Sequence, residues 1–207
     1  MKRKSRQHIW TPDETAALTP DGTEPKRERL VLCRLDRKDS RNKDSFYLSY
    51  FVRLGSKAPN RRAVLFCAGG PGELDHHTSA DNETPATFLG RNEYDVVAFD
   101  LRGAGFSQLP QSSNFDRYLR TDLAIYDIEA IRSDWLGNDD VGKPIPWEAI
   151  IAKSYGSLLA QQYANRFPRM VKKLVLLAPL SRHMFKKSPN AYSTLIEDAS
   201  RIYRDCL

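Results

Sequence analysis

An α/β fold, built on a mostly parallel sheet with an antiparallel hairpin at its N-terminal side, is what this 207-residue sequence predicts. Three observations point to it. From residue 62 onward, short β-rich apolar runs alternate with longer stretches of helical period, the mark of right-handed crossovers between parallel strands. The runs "RAVLFCA" and "YDVVAFD" are apolar at successive positions, as strands buried on both faces are. Before them, two β-rich runs flank the turn-like "RKDSRNKD", the pattern of an antiparallel pair.

Each element follows from its local chemistry. Residues 1–28 are polar, carry Pro12, Pro20, Gly22 and Pro25 and show no period, so they read as a flexible basic arm. "RLVLCRLD" and "SFYLSYFVRLG" make the hairpin, and "RAVLFCA" is the first parallel strand. "DNETPATFLGRN" allows a short helix before the strand "YDVVAFD". In "TDLAIYDIEAIRSDWLG", Ala124, Ile128, Ile131 and Trp135 align on one helical face, and Gly137 is placed to end the helix. "WEAIIA" reads as a strand and "GSLLAQQYANRF" as a helix with Ala160, Ala164 and Phe167 on its inner stripe, closed by Pro168. "VKKLVLLAP" gives a further strand. Residues 29–182 thus form the core, and 183–207 end the chain in the amphipathic "SPNAYSTLIEDASRIYRDCL".

Composition narrows the class. Apolar residues at 41% and charged residues at 28% suit one soluble domain, and no apolar run approaches the roughly 18 residues that would span a bilayer. The net charge of +6 sits largely in "MKRKSRQH", "KRER" and "RHMFKK", a solvated-tail pattern without the aromatic interleaving of a base-stacking surface. No nucleic-acid or membrane partner is expected. Cys33, Cys67 and Cys206 are odd in number and lack metal-ligand spacing, so neither a disulfide framework nor a metal site is expected, and no cofactor. The N-terminus lacks the apolar segment of a secretory signal, which makes the cytoplasm the expected location.

Three stretches carry chemistry. "AKSYGS" places Ser154 between a buried strand and a helix, with Ala152 and Gly156 as small neighbours, as a nucleophile elbow requires; a helix N-cap serine fits the same place but does not explain the small residues. "CAGGPGE" follows a strand, and Gly69 and Gly70 would let a loop present backbone N–H groups to an anionic oxygen, or form an ordinary glycine turn. In "FDLRGAGFSQ", Asp100, Arg102 and Ser107 can bond with the loop backbone and one another while Gly103 and Gly105 allow positive φ, a structural role.

In order and spacing, "GGPG" (69–72), "DLRGAGFS" (100–107), "DIEAIR" (127–132), "KSYGS" (153–157) and "YANRFPRMVKKLVLLAP" (163–179) resemble the α/β-hydrolase fold, and within it the proline iminopeptidase-like serine peptidases. The resemblance covers about residues 30–180. It implies that Ser154 is a nucleophile and that the backbone N–H groups of Tyr155 and of the Gly69–Gly70 loop form an oxyanion hole. It further implies acyl transfer by a Ser-His-Asp triad on a peptide or small acyl substrate. Serine rather than aspartate at the elbow argues against the alkyl-enzyme branches of the fold.

The sequence departs from that pattern after the elbow. Only 53 residues follow Ser154, where the fold would place two more strands, the acid and the histidine. His183 lies in a basic loop, His76 and His77 follow the glycine loop, His8 is in the arm, and Asp198 and Asp205 fall in the terminal helical segment, which resembles the beginning of a cap. The expectation is therefore the N-terminal portion of such a hydrolase, lacking the last core strands and most of the cap and inactive alone. The alternatives are an esterase or amidase of the same fold, or a non-catalytic interaction protein built on a hydrolase half-sheet. An uncovered sheet edge would favour self-association.

Overall fold

The computed structural model describes residues 26–55, 62–70, 93–107, 109 and 115–180. Six strands form one sheet: β1 (Lys26–Arg34), β2 (Ser45–Arg53), β3 (Ala63–Cys67), β4 (Asp95–Phe99), β5 (Ala149–Lys153) and β6 (Leu174–Leu177). Two helices, α1 (Thr121–Trp135) and α2 (Tyr155–Arg166), complete the described elements, with a short 3-10 turn at Phe115–Tyr118. The strand order is β1-β2-β4-β3-β5-β6. β2 runs antiparallel to both β1 and β4, whereas β4, β3, β5 and β6 are mutually parallel. The expected mixed sheet, parallel apart from its leading hairpin, is the one observed.

Burial explains the arrangement. All five residues of β3 and all five of β4 are buried, as the unbroken apolar runs require. One face gathers Leu65, Val97 and Ile150 with Leu48, Ile128, Ile131 and Leu159 into the main core, and both α1 and α2 pack there. The other face gathers Phe51, Val64, Phe66, Val96, Ala98 and Ile151. Each Val, Leu, Ile or Phe side chain among them, fully buried, contributes about 1.5–3 kcal/mol relative to exposure.

Two sequence expectations shift in detail. β1 begins at Lys26, inside the stretch assigned to the arm, because an edge strand pairs by its backbone, and Lys26 stands opposite Arg53 in the ladder. On α2 the buried stripe runs through Gly156, Leu159, Ala160 and Tyr163, while Ala164 and Phe167 are only half-buried. The helix is turned by the close approach of Gly156 to the end of β3, which brings that i, i+3, i+4, i+7 row inward. On α1 Ala124, Ile128 and Ile131 are buried as expected, Trp135 is half-buried against the same core, and Gly137, at φ 62°, ends the helix. The helix expected in "DNETPATFLGRN" and the segment 183–207 lie outside the described residues.

Candidate active site

The elbow is a strained turn. Ser154 joins β5 to α2 with φ 49° and ψ −117°, a backbone conformation that costs a non-glycine residue about 1–3 kcal/mol and persists only when its surroundings over-determine it. Its side chain makes no capping hydrogen bond, which removes the N-cap reading. Its backbone is held on both sides: the N–H donates to Leu177 O on β6 at 2.9 Å, and the carbonyl accepts from Ser157 N–H at 3.0 Å.

The small neighbours have separate reasons. A Cβ at Gly156 would lie 2.3 Å from Ala68 O and 2.4 Å from Cys67 O, so only glycine lets α2 start this close to the end of β3. Ala152 is fully buried between strands and keeps a negative φ, so the position needs smallness but not glycine. This accounts for alanine where the elbow pattern often carries glycine.

The register then brings the glycine loop to the elbow. Cys67 pairs with Ala152 in parallel neighbours, so Gly69 and Gly70 leave β3 at the same end of the sheet, and on the adjacent strand, as Ser154 leaves β5. Gly70 adopts φ 57°, which glycine tolerates without penalty. Tyr155 is the first residue of α2, in the turn whose N–H groups point out of the helix N-terminus. Its hydroxyl is 2.9 Å from Thr121 Oγ1 on the first turn of α1, which pins the elbow to that helix. Pro71, Gly72, His76, His77 and His183 lie outside the described residues, as does His8, so no histidine is among those described.

In the loop after β4, Asp100 and Ser107 bond with loop backbone, whereas Arg102 bonds elsewhere. Asp100 Oδ2 accepts from Phe106 N–H at 3.1 Å; Ser107 Oγ donates to Asp100 O at 2.8 Å and accepts from Ser49 N–H at 2.9 Å. Gly103 and Gly105 take φ 81° and 50°. Arg102 bonds with neither Asp100 nor Ser107. It makes a bidentate pair with Asp127 on α1, Nε to Oδ2 and Nη2 to Oδ1, each 2.7 Å, and its remaining donors reach Leu35 O, Tyr118 O and Leu123 O. Every guanidinium N–H is thereby used in a site where both side chains are almost wholly buried.

Asp127 is the residue that sequence reasoning missed as a partner. The signal was available: Asp127 falls on the apolar stripe of α1, between Ala124 and Ile131, where a charge needs a buried counter-ion. Ser157 and Gln161, which bond to the segment after β6, had no such signal, because a serine and a glutamine in a helix are equally at home facing water.

Comparisons with known proteins bear on the family and the fold. A model of the alpha/beta hydrolase fold matches residues 62–202. The proline iminopeptidase of Thermoplasma volcanium is 30% identical over 152 residues, covering 70% of this chain and 45% of the relative; that of Xylella fastidiosa strain 9a5c is 31% identical over 133 residues, covering 64% and 36%. Among solved structures, the epoxide hydrolase VrEH1 from Vigna radiata superposes with a TM-score of 0.51 at 21% identity, over 73% of this chain and 39% of that one, a likeness of fold alone. The chain spans less than half the length of these relatives. With a strand order, an elbow and a family match that coincide, the chain belongs to the α/β-hydrolase fold family, where it is similar to the proline iminopeptidases.

Proposed function

We propose that Ser154 is the nucleophile of an acyl-transfer hydrolase, with the N–H groups of Tyr155 and of Gly69–Gly70 receiving the developing oxyanion. The observation that carries this reading is the strained φ of Ser154 at the strand-to-helix turn, unexplained by any capping bond. The substrate class is a peptide bond at an N-terminal residue, in line with the proline iminopeptidase relatives, or an ester or amide of similar shape. Serine at the elbow sets the proposed chemistry apart from carboxylate-based alkyl-enzyme formation. Free thiols at Cys33 and Cys67 favour a reducing compartment such as the cytoplasm, and no described helix is long and apolar enough to cross a membrane.

No base is assigned to Ser154 among the described residues, and the 207-residue chain alone is expected to turn over negligibly, as a serine without a base would keep only the oxyanion and binding contributions. Two measurements test the two halves. In Ser154→Cys, a thiol set at a helix N-terminus among amide donors should titrate well below the ordinary ~8.5, and an ordinary or raised value would remove the nucleophile assignment. A fluorophosphonate probe should leave the purified chain unlabelled. Stoichiometric labelling at Ser154 would refute the expected inactivity.

A second reading has its own observation. All four residues of β6 are only half-buried, and β6 pairs with β5 alone among the described residues. An apolar edge strand in that state is a template for association, so an interaction protein that pairs through β6 is the alternative. Light scattering after size exclusion discriminates: a clean monomer with a cooperative melt removes it.

A further inference from the structure

Ser157 is fully buried in the first turn of α2, where a hydroxyl without partners would be costly. It has two partners on different segments. Its Oγ donates to the carbonyl of Ser154 and accepts from Leu180 N–H at 2.8 Å. One turn further along, Gln161 Nε2 donates to Ser157 O at 2.9 Å and to Leu180 O at 2.8 Å. Together with the bond from Ser154 N–H to Leu177 O, these tie residues 177–180 to the elbow through both the N–H and the carbonyl of Ser154.

The tied segment is itself strained. Ala178 takes φ 47°, and apart from Ser154 it is the other non-glycine residue with positive φ among those described. The two strained residues directly follow Lys153 and Leu177, which are register partners on β5 and β6. A serine on a helix commonly bonds back to a carbonyl of the preceding turn, and that alone would be local. Here the same oxygen also receives an N–H from beyond the next strand, so the position of residues 178–180 is transmitted to the Ser154 carbonyl.

We infer that Ser157 is a positioning residue: with Gln161 it latches the segment after β6 onto the elbow and thereby holds the Ser154 side chain among the amide donors. This rests on Ser154 being the nucleophile. Residues 177–180 are then mechanically coupled to the reacting serine, and a shift of that segment would loosen the turn.

The test uses the full chain carrying Ser154→Cys and Cys206→Ser, with the thiol titrated through the pH dependence of its alkylation by iodoacetamide. Cys33 and Cys67 are buried, and burial together with Asp127 pushes the Cys33 thiol upward, so neither competes. Adding Ser157→Ala should raise the pKa of the introduced thiol by about half a unit and speed exchange of the Leu180 amide about tenfold. Ser107→Ala is the matched control: it removes a buried hydroxyl with the same pair of bonds in another loop, and should lower stability while leaving the thiol unmoved. Gln161→Met, milder than Ser157→Ala, should move the thiol in the same direction by a smaller amount and serves if the first variant fails to fold. A thiol pKa unchanged by both variants, with the Leu180 amide freed, would overturn the latch while leaving the nucleophile intact. An ordinary thiol in the parent would overturn both.

Discussion

Gly156→Ala sets two effects of opposite sign against each other at one methyl group. Helix propensity favours alanine over glycine by about 1 kcal/mol, so on propensity alone the change should stabilise α2. The geometry says otherwise. The added Cβ would stand 2.3 Å from Ala68 O and 2.4 Å from Cys67 O, well inside ordinary contact, and both obstacles are backbone at the end of a central strand. Neither a rotamer change nor a flexible tip can relieve it, so α2 and β3 must part. Forced overpacking of this kind costs about 1–3 kcal/mol or more, which outweighs the propensity gain. Net of the propensity gain of about 1 kcal/mol, a cost near the upper end leaves roughly 2 kcal/mol, a fall in Tm of roughly 4–8 °C for a chain of this size. The parting also separates Ser154 from Gly69–Gly70, so the thiol of Ser154→Cys should drift back towards its ordinary pKa in the same background. Gly142→Ala supplies the comparison, since its Cβ meets nothing within 4 Å and only the positive φ of 80° is penalised. Calorimetry on both variants checks the order. A Gly156→Ala protein that melts at or above the parent temperature would refute the close approach of elbow and β3.

Three further outcomes follow from the same structure. Ser154→Gly should stabilise the fold by about 1 kcal/mol, because glycine relieves the positive φ, whereas loss of an N-cap serine would destabilise it slightly; chemical denaturation reads the sign. Arg102→Met strands the buried Asp127 carboxylate and should cost about 3–5 kcal/mol, and adding Asp127→Leu to that variant should recover much of the loss; urea melts that show the single variant within about 1 kcal/mol of the parent would refute the buried pair. Burial alone would raise the Glu148 carboxyl, but hydrogen bonds from Lys172 and Arg62 prevail and hold it below its ordinary value. A depressed folded-state pKa contributes stability above the unfolded-state value of 4.5 that is lost as pH falls through the lower folded one, so Glu148→Gln should flatten the decline in Tm below about pH 4.5 and leave the neutral-pH loss within ~1 kcal/mol.

The parallel core was legible because its strands are apolar at nearly every position: "AVLFC" and "DVVAF" allow few outcomes other than burial on both faces. The helix carrying Ala124, Ile128 and Ile131 was legible for the complementary reason, a period that only one face satisfies. The elbow was half legible. Small residues around Ser154 announce a tight turn, but the pattern treats Ala152 and Gly156 alike, and the structure separates them: one needs only smallness, the other cannot carry a Cβ at all.

What the sequence by itself determined is therefore the order of strands and helices, the location of the turn at Ser154 and the glycines beside it, since periodicity, burial pattern and backbone freedom are properties of neighbouring residues. What only the tertiary structure decided is who meets whom: Arg102 with Asp127, Tyr155 with Thr121, Ser157 with Leu180, and the face on which α2 lies. Those contacts join residues between 23 and 34 positions apart, and their choice depends on strand register and on the close approach of α2 to β3, which no local pattern encodes.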